Sequence, residues 1–133
     1  MAGQTGNTGC QALAVTLRGM TLNELRAGVA RKLMLKEAWL GFLNGILVGI
    51  VASAAMYTIA RFEHNTHALT LALITLVALA LSSVASGVAG AAVPLGLKRL
   101  GADPAMASSI FLTTATDVVS MGLFLGMATW LVP

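Results

Sequence analysis

Along the chain, charged positions gather into short clusters between long apolar runs. Ala38–Ala60, Ala68–Leu97 and Ala105–Pro133 are apolar and uncharged, the last broken only by Asp117. A helix that crosses a bilayer needs about 20 such residues, so the pattern predicts three full transmembrane helices. A fourth uncharged run, Met1–Leu17, is shorter and rich in glycine, and lacks the basic start of a signal peptide. It reads as an N-terminal partial helix, the tail of a segment that starts earlier in a longer chain. The expected fold is all-α, an integral membrane helical bundle over residues 1–133 with no room for a soluble domain.

Composition agrees with this pattern. Of 133 residues, 57% are hydrophobic and 10% charged, against roughly 25% charged in a typical soluble domain; mean hydropathy is +0.86. The net charge of +3 does not point to nucleic acid, because the cations flank the apolar runs and no aromatic module is present to read a base. Arg18, Arg26, Arg31, Lys32 and Lys36 fall between the first and second runs, and Lys98 and Arg99 follow the third. Basic loops stay in the cytoplasm, which places Arg61–His67 and the C-terminus outside. Cys10 is alone, so neither an internal disulfide nor a paired-cysteine metal motif can form.

Local signals punctuate the chain. Thr21-Leu-Asn-Glu24 has capping-box spacing and predicts a helix start. Leu22–Leu35 then reads either as a basic amphipathic helix at the cytoplasmic surface or as the first turns of the next membrane helix. Gly41, Gly45 and Gly49 recur every four residues, predicting a face that lets another backbone approach closely. Ser82, Ser86 and Gly90, beside Ser83 and Gly87, repeat the device, as do Gly122 and Gly126. Pro94 is expected to end or kink its helix, and Asp103-Pro104 to cap and open the last one.

Asp117 carries the functional question. From a start at Asp103 it falls about halfway along the last helix, where a charge costs roughly 2.5–3.5 kcal/mol on insertion scales. Every Lys and Arg is in a loop on this reading, so its partner is water, a cation, a proton or another chain. Ser109, Thr113 and Asp117 are spaced by four with Thr116 and Ser120 alongside, giving an oxygen-lined stripe. Oxygen suits hard cations, and Mg²⁺, which dehydrates reluctantly, is held by few carboxylates and retained water. Two copies of Asp117 across a two-fold axis would match one divalent ion. The other reading is a packing carboxyl beside hydroxyls bonded to their own turn.

Ala2–Gln11 has glycine at every third position, with Gln4, Asn7 and Gln11 among them. That makes poor continuous helix and suits backbone beside a pathway, or an ordinary terminal loop. Glu63, His64 and His67 form either a metal site or a solvated loop. They lie at a bilayer edge, too far in depth from Asp117 for a hydrolytic triad, and no phosphate loop or dinucleotide fingerprint occurs. The chain does not read as an enzyme.

Ala2-Gly-Gln-Thr-Gly-Asn-Thr-Gly-Cys-Gln11, followed by Arg18-Gly19, resembles the GGNxGxQ motif of the MgtE-type magnesium channels. Pro94–Ala105, Ser108 and Thr113-Thr-Ala-Thr-Asp117 resemble the family's final loop and last helix. The resemblance covers essentially the whole chain. It implies a five-helix unit that pairs as a homodimer around an axial pore, in a bacterial or archaeal plasma membrane. It assigns hydrated Mg²⁺ to Asp117, with Thr113 and Ser109 lining the pore toward the cytoplasm and Gly6 and Asn7 lining it from the second helix. Thr5 departs from the motif's first glycine and is expected to narrow or stiffen the path. The first helix, most of the second and the cytoplasmic regulatory domains fall outside this sequence.

The expected function is therefore a divalent-cation channel or transporter for Mg²⁺, with Mn²⁺ and Co²⁺ open because they accept the same ligands. A proton- or Na⁺-coupled secondary transporter and a non-transporting membrane packing module are the alternatives.

Overall fold

A computed structural model describes residues 2–25, 29–107 and 109–132. Arg26, Ser108 and Pro133, which figure in the readings above, lie outside them. Four α-helices follow in order, α1 (Ala2–Thr21), α2 (Val29–Phe62), α3 (Ala68–Arg99) and α4 (Ser109–Leu131), with a 3-10 turn at Pro104–Met106 before α4. The bundle is all-helical, and α2, α3 and α4 are long and apolar enough to cross a membrane.

The apolar runs locate these helices but not their ends. At 34 residues, α2 is about 51 Å long, well beyond a hydrocarbon core of about 30 Å. Its first turns carry Arg31, Lys32 and Lys36, so the basic segment continues straight into the membrane helix. From Val29 on, the segment read as a surface helix is part of α2, while its residues 26–28 lie outside the described residues.

The capping box is not formed. Thr21 ends α1, and its hydroxyl donates back to the Arg18 carbonyl at 2.8 Å. Asn23 takes φ +54°, its N–H reaches the Met20 carbonyl and the Glu24 N–H the Gly19 carbonyl. This pair of bonds closes a helix C-terminus around one left-handed residue. His64 (φ +55°) closes α2 and Gly101 (φ +75°) closes α3 in the same way.

Two further boundaries move. Pro94 lies inside α3, which continues to Arg99. Asp103 does cap, its carboxylate accepting from the Ala105 N–H at 2.9 Å, but it caps the 3-10 turn. Ala107 behind that turn is buried with Leu13 and Leu112, and α4 starts only at Ser109. The glycine-rich Ala2–Gln11 is continuous helix, which corrects the expectation of irregular backbone.

The helix α3 is the centre of the bundle, with α2 on one side and α1 and α4 on the other. Gly41, Gly45 and Gly49 are buried against it as their spacing predicts. A Cβ at Gly41 would come within 2.5 Å of the Ser83 carbonyl oxygen, and one at Gly45 within 2.8 Å of the Ala80 Cα. At Gly49 it would meet Leu76, so each four-residue step along α2 runs back three or four along α3. On the other flank α3 and α1 run parallel. The Ser86 hydroxyl donates to the Thr5 carbonyl, and a Cβ at Gly90 would strike the Gly9 carbonyl oxygen. Ser82, Ser83, Ser86, Gly87 and Gly90 are all buried. Gly122 and Gly126 have no atom within 4 Å of an added Cβ, so inside the protomer they are not a packing face.

Candidate functional site

The helices α1 and α4 cross at small residues and run antiparallel. A Cβ at Gly6 would lie 3.0 Å from the Thr113 methyl, and Cys10 Sγ approaches the Ser109 carbonyl oxygen at 4.0 Å. Four residues forward on α1 are therefore four back on α4. The same register places Asp117 level with the first described residues of α1.

This seam brings Gly6 to Thr113 and Cys10 to Ser109; Asn7 follows Gly6 on α1, and Asp117 is one turn beyond Thr113 on α4. Asn7 and Ser109 are exposed, Thr113 and Asp117 half-buried. Asp117 Oδ1 is buried and has no hydrogen-bond partner among the described residues. Thr116 and Ser120 are turned elsewhere. Both are buried, and Thr116 shares a cavity of about 90 Å³ with Ser82 and Ser86 of α3. Thr5 is fully buried where α1 meets α3, so its side chain does not narrow the open side of α1.

The hydroxyls of α4 are bonded along their own helix. Thr113 donates to the Ile110 carbonyl at 3.0 Å, Thr116 to Thr113 at 3.0 Å and Ser120 to Asp117 at 3.0 Å. Such back-bonding uses the proton and leaves oxygen lone pairs as acceptors. At Thr113 the arrangement still suits a cation, or the water around one.

Depth depends on which helix is the ruler. Asp117 is about 12 Å from the start of α4, about a third of its length, short of the halfway point expected from a start at Asp103. The neighbouring Thr116 is level with Ser86, which stands about 27 Å from one end of α3 and about 20 Å from the other. The carboxylate is thus near the middle of the longest neighbour it has.

Sequence reasoning missed Glu37 and Asn44. Glu37 immediately precedes the uncharged run from Ala38, yet it is inside α2 and only 7% exposed. Asn44 Nδ2 donates to Thr8 Oγ1 across the α1–α2 cleft at 2.9 Å. The spacing Glu37–Gly41–Asn44 was the available signal, since it sets both polar residues on the glycine-flanked face. Glu63, His64 and His67 sit around the α2–α3 turn, and no group of three or more His, Cys, Asp or Glu converges among the described residues.

The sequence model of MgtE, described as a divalent cation transporter, matches residues 1–127. The magnesium transporter MgtE of Bacillus subtilis is 33% identical over 129 residues, 97% of this chain and 27% of that protein. Those of Enterococcus faecalis and Thermus thermophilus are 29% and 30% identical, over 97% and 96% of the chain and again 27% of the relative. The chain spans about a quarter of the length of these relatives. With the match running through all four helices, the chain belongs to the MgtE family of divalent cation transporters.

Proposed function

We propose that the chain forms the ion-conducting part of a magnesium transporter, in which Asp117 and the α1–α4 seam hold hydrated Mg²⁺ on the axis of a homodimer. The observation that carries this reading is the buried, unpartnered Oδ1 of Asp117. An isolated carboxylate in an apolar setting is expensive, and a divalent ion shared by two copies removes that cost. The ion keeps most of its water, because one carboxylate per copy and the neutral oxygens of Thr113, Ser109 and Asn7 are too few to replace an octahedral shell. Gly6 keeps the seam narrow by letting α1 approach Thr113 closely.

Three relatives of this chain carry the name magnesium transporter, which supports Mg²⁺ as the transported ion. Mn²⁺ and Co²⁺ satisfy the same oxygen chemistry and compete in the same seam. Arg18 near the end of α1, Arg31 and Lys32 at the start of α2, and Lys98 and Arg99 at the end of α3 belong to one end of the bundle. That end is cytoplasmic under the positive-inside rule, and the C-terminus is then outside.

The test is Mg²⁺ binding by calorimetry to the purified chain in nanodiscs, with Asp117→Asn for comparison. We expect saturable binding in the parent, weakened at least tenfold in Asp117→Asn, while the thermal unfolding midpoint holds or rises because a costly charge has gone. Equal binding in both proteins would rule out Asp117 as the ion-holding group.

A further inference from the structure

We infer that the cleft between α1 and α2 is a second cation site, centred on Glu37 and selective for a small monovalent ion of the Na⁺ class. It stands apart from the Asp117 seam and does not depend on that reading.

The cleft is a cavity of about 280 Å³ lined by Thr8, Gln11 and Val15 of α1 and by Lys36, Glu37, Leu40, Gly41 and Asn44 of α2. Glu37 is more than nine-tenths buried, and no hydrogen bond or ion pair joins its carboxylate to a described residue. Its backbone is pressed against α3, where a Cβ at Gly87 would lie 2.7 Å from the Glu37 carbonyl oxygen. The carboxylate is therefore held at the cleft by a helix that has little freedom to turn it away.

The polar neighbours are set to offer oxygen. Thr8 Oγ1 donates its proton to the Gln4 carbonyl and so must accept from Asn44, whose Nδ2 lies 2.9 Å away. That fixes the amide and leaves Asn44 Oδ1 as an acceptor. With the Gln11 carboxamide and the Glu37 carboxylate, oxygens from both helices line one space, the donor set of a hard cation.

Charge decides which cation. One carboxylate neutralises one positive charge, so a monovalent ion leaves the Glu37 site neutral. A divalent ion would leave one positive charge in excess in a half-apolar cleft. Lys36 also borders the cavity, but it is exposed and, as an adjacent helix position, does not face Glu37. The volume leaves room for an ion and several waters, each about 30 Å³ in the liquid. Since the ion would draw on oxygens of both α1 and α2, its binding ties together two helices that otherwise meet little.

The experiment uses the full chain in nanodiscs without divalent ions, at fixed ionic strength, exchanging N-methylglucamine chloride for NaCl. Thermal unfolding and ²³Na NMR line-broadening are read together. We expect a saturable Na⁺-specific rise in the unfolding midpoint and broadening of the ²³Na line. Both should be lost in Glu37→Gln, weakened about tenfold in Asn44→Ala and retained in Asp117→Asn. No Na⁺-specific effect in the parent, or an effect that survives Glu37→Gln, overturns the site. Displacement of Na⁺ by Mg²⁺ that persists in Asp117→Asn overturns the monovalent assignment. Loss of Mg²⁺ binding at Asp117 would leave these Na⁺ readouts untouched, so the two proposals fail separately.

Discussion

Asn23 holds a left-handed backbone that most side chains resist. At φ +54° a β-carbon crowds the following carbonyl, at roughly 1–2 kcal/mol for an ordinary residue; asparagine and glycine bear it best. The position matters because its N–H and that of Glu24 satisfy the last free carbonyls of α1. We expect Asn23→Gly to leave the thermal midpoint unchanged or slightly higher, and Asn23→Val to lower stability by about 1–2 kcal/mol, both read from unfolding in detergent. A large loss in Asn23→Gly would mean that the side chain, not the backbone conformation, is what the turn requires. The sequence around this residue also shows how a local signal misleads. Thr21 and Glu24 have the spacing of a helix start, but an asparagine between them, after a long uninterrupted helix, makes the better C-terminus. Asp117 was legible for a different reason: an acid inside an apolar run needs no structure to be noticed. Glu37 was not, because it adjoins Lys36 and belongs, by charge alone, to the loop.

Spacing by four reads helix packing well where a partner helix exists. Gly41, Gly45 and Gly49 were identified by that period, and each is pressed onto α3. The three are not equivalent. At Gly45 an added Cβ meets backbone, 2.8 Å from the Ala80 Cα and 2.9 Å from the Leu79 carbonyl oxygen. At Gly49 the nearest atom is the tip of the Leu76 side chain at 2.8 Å. A side-chain tip can rotate away, whereas two helix backbones have to separate. Gly45→Ala should therefore destabilise the bundle by about 1–3 kcal/mol, Gly49→Ala by clearly less, and Gly45→Leu should disrupt the α2–α3 pairing altogether. Equal midpoints for the two alanine variants would show that the helices separate freely at this contact. Helix ends were harder to read than helix faces. Bilayer length sets how much of α2 must be apolar, but nothing in that criterion prevents the helix from running on into its basic flank, and it does.

At the scale of the molecule, one side of α4 has no partner among the described residues. Val118, Leu125 and Trp130 are exposed, Trp130 by 85%, and Gly122 and Gly126 have open space where a Cβ would be. Lipid can cover exposed apolar side chains in a membrane, but it gives no reason for two glycines one turn apart, which cost helix stability and are useful where backbones approach. A second copy of α4 is the partner that the proposed homodimer supplies. On the proposed homodimer the same spacing would serve two levels of structure, with α2 using it inside the protomer and α4 between protomers. We expect Gly122→Leu to leave the protomer's thermal midpoint within about 0.5 kcal/mol of the parent, as for a surface change, while shifting sedimentation in detergent from dimer to monomer and weakening Mg²⁺ binding with it. A variant that stays dimeric would place the two-fold axis away from α4 and leave each Asp117 to hold its ion alone; a variant that unfolds would mean that α4 packs on this face within its own chain.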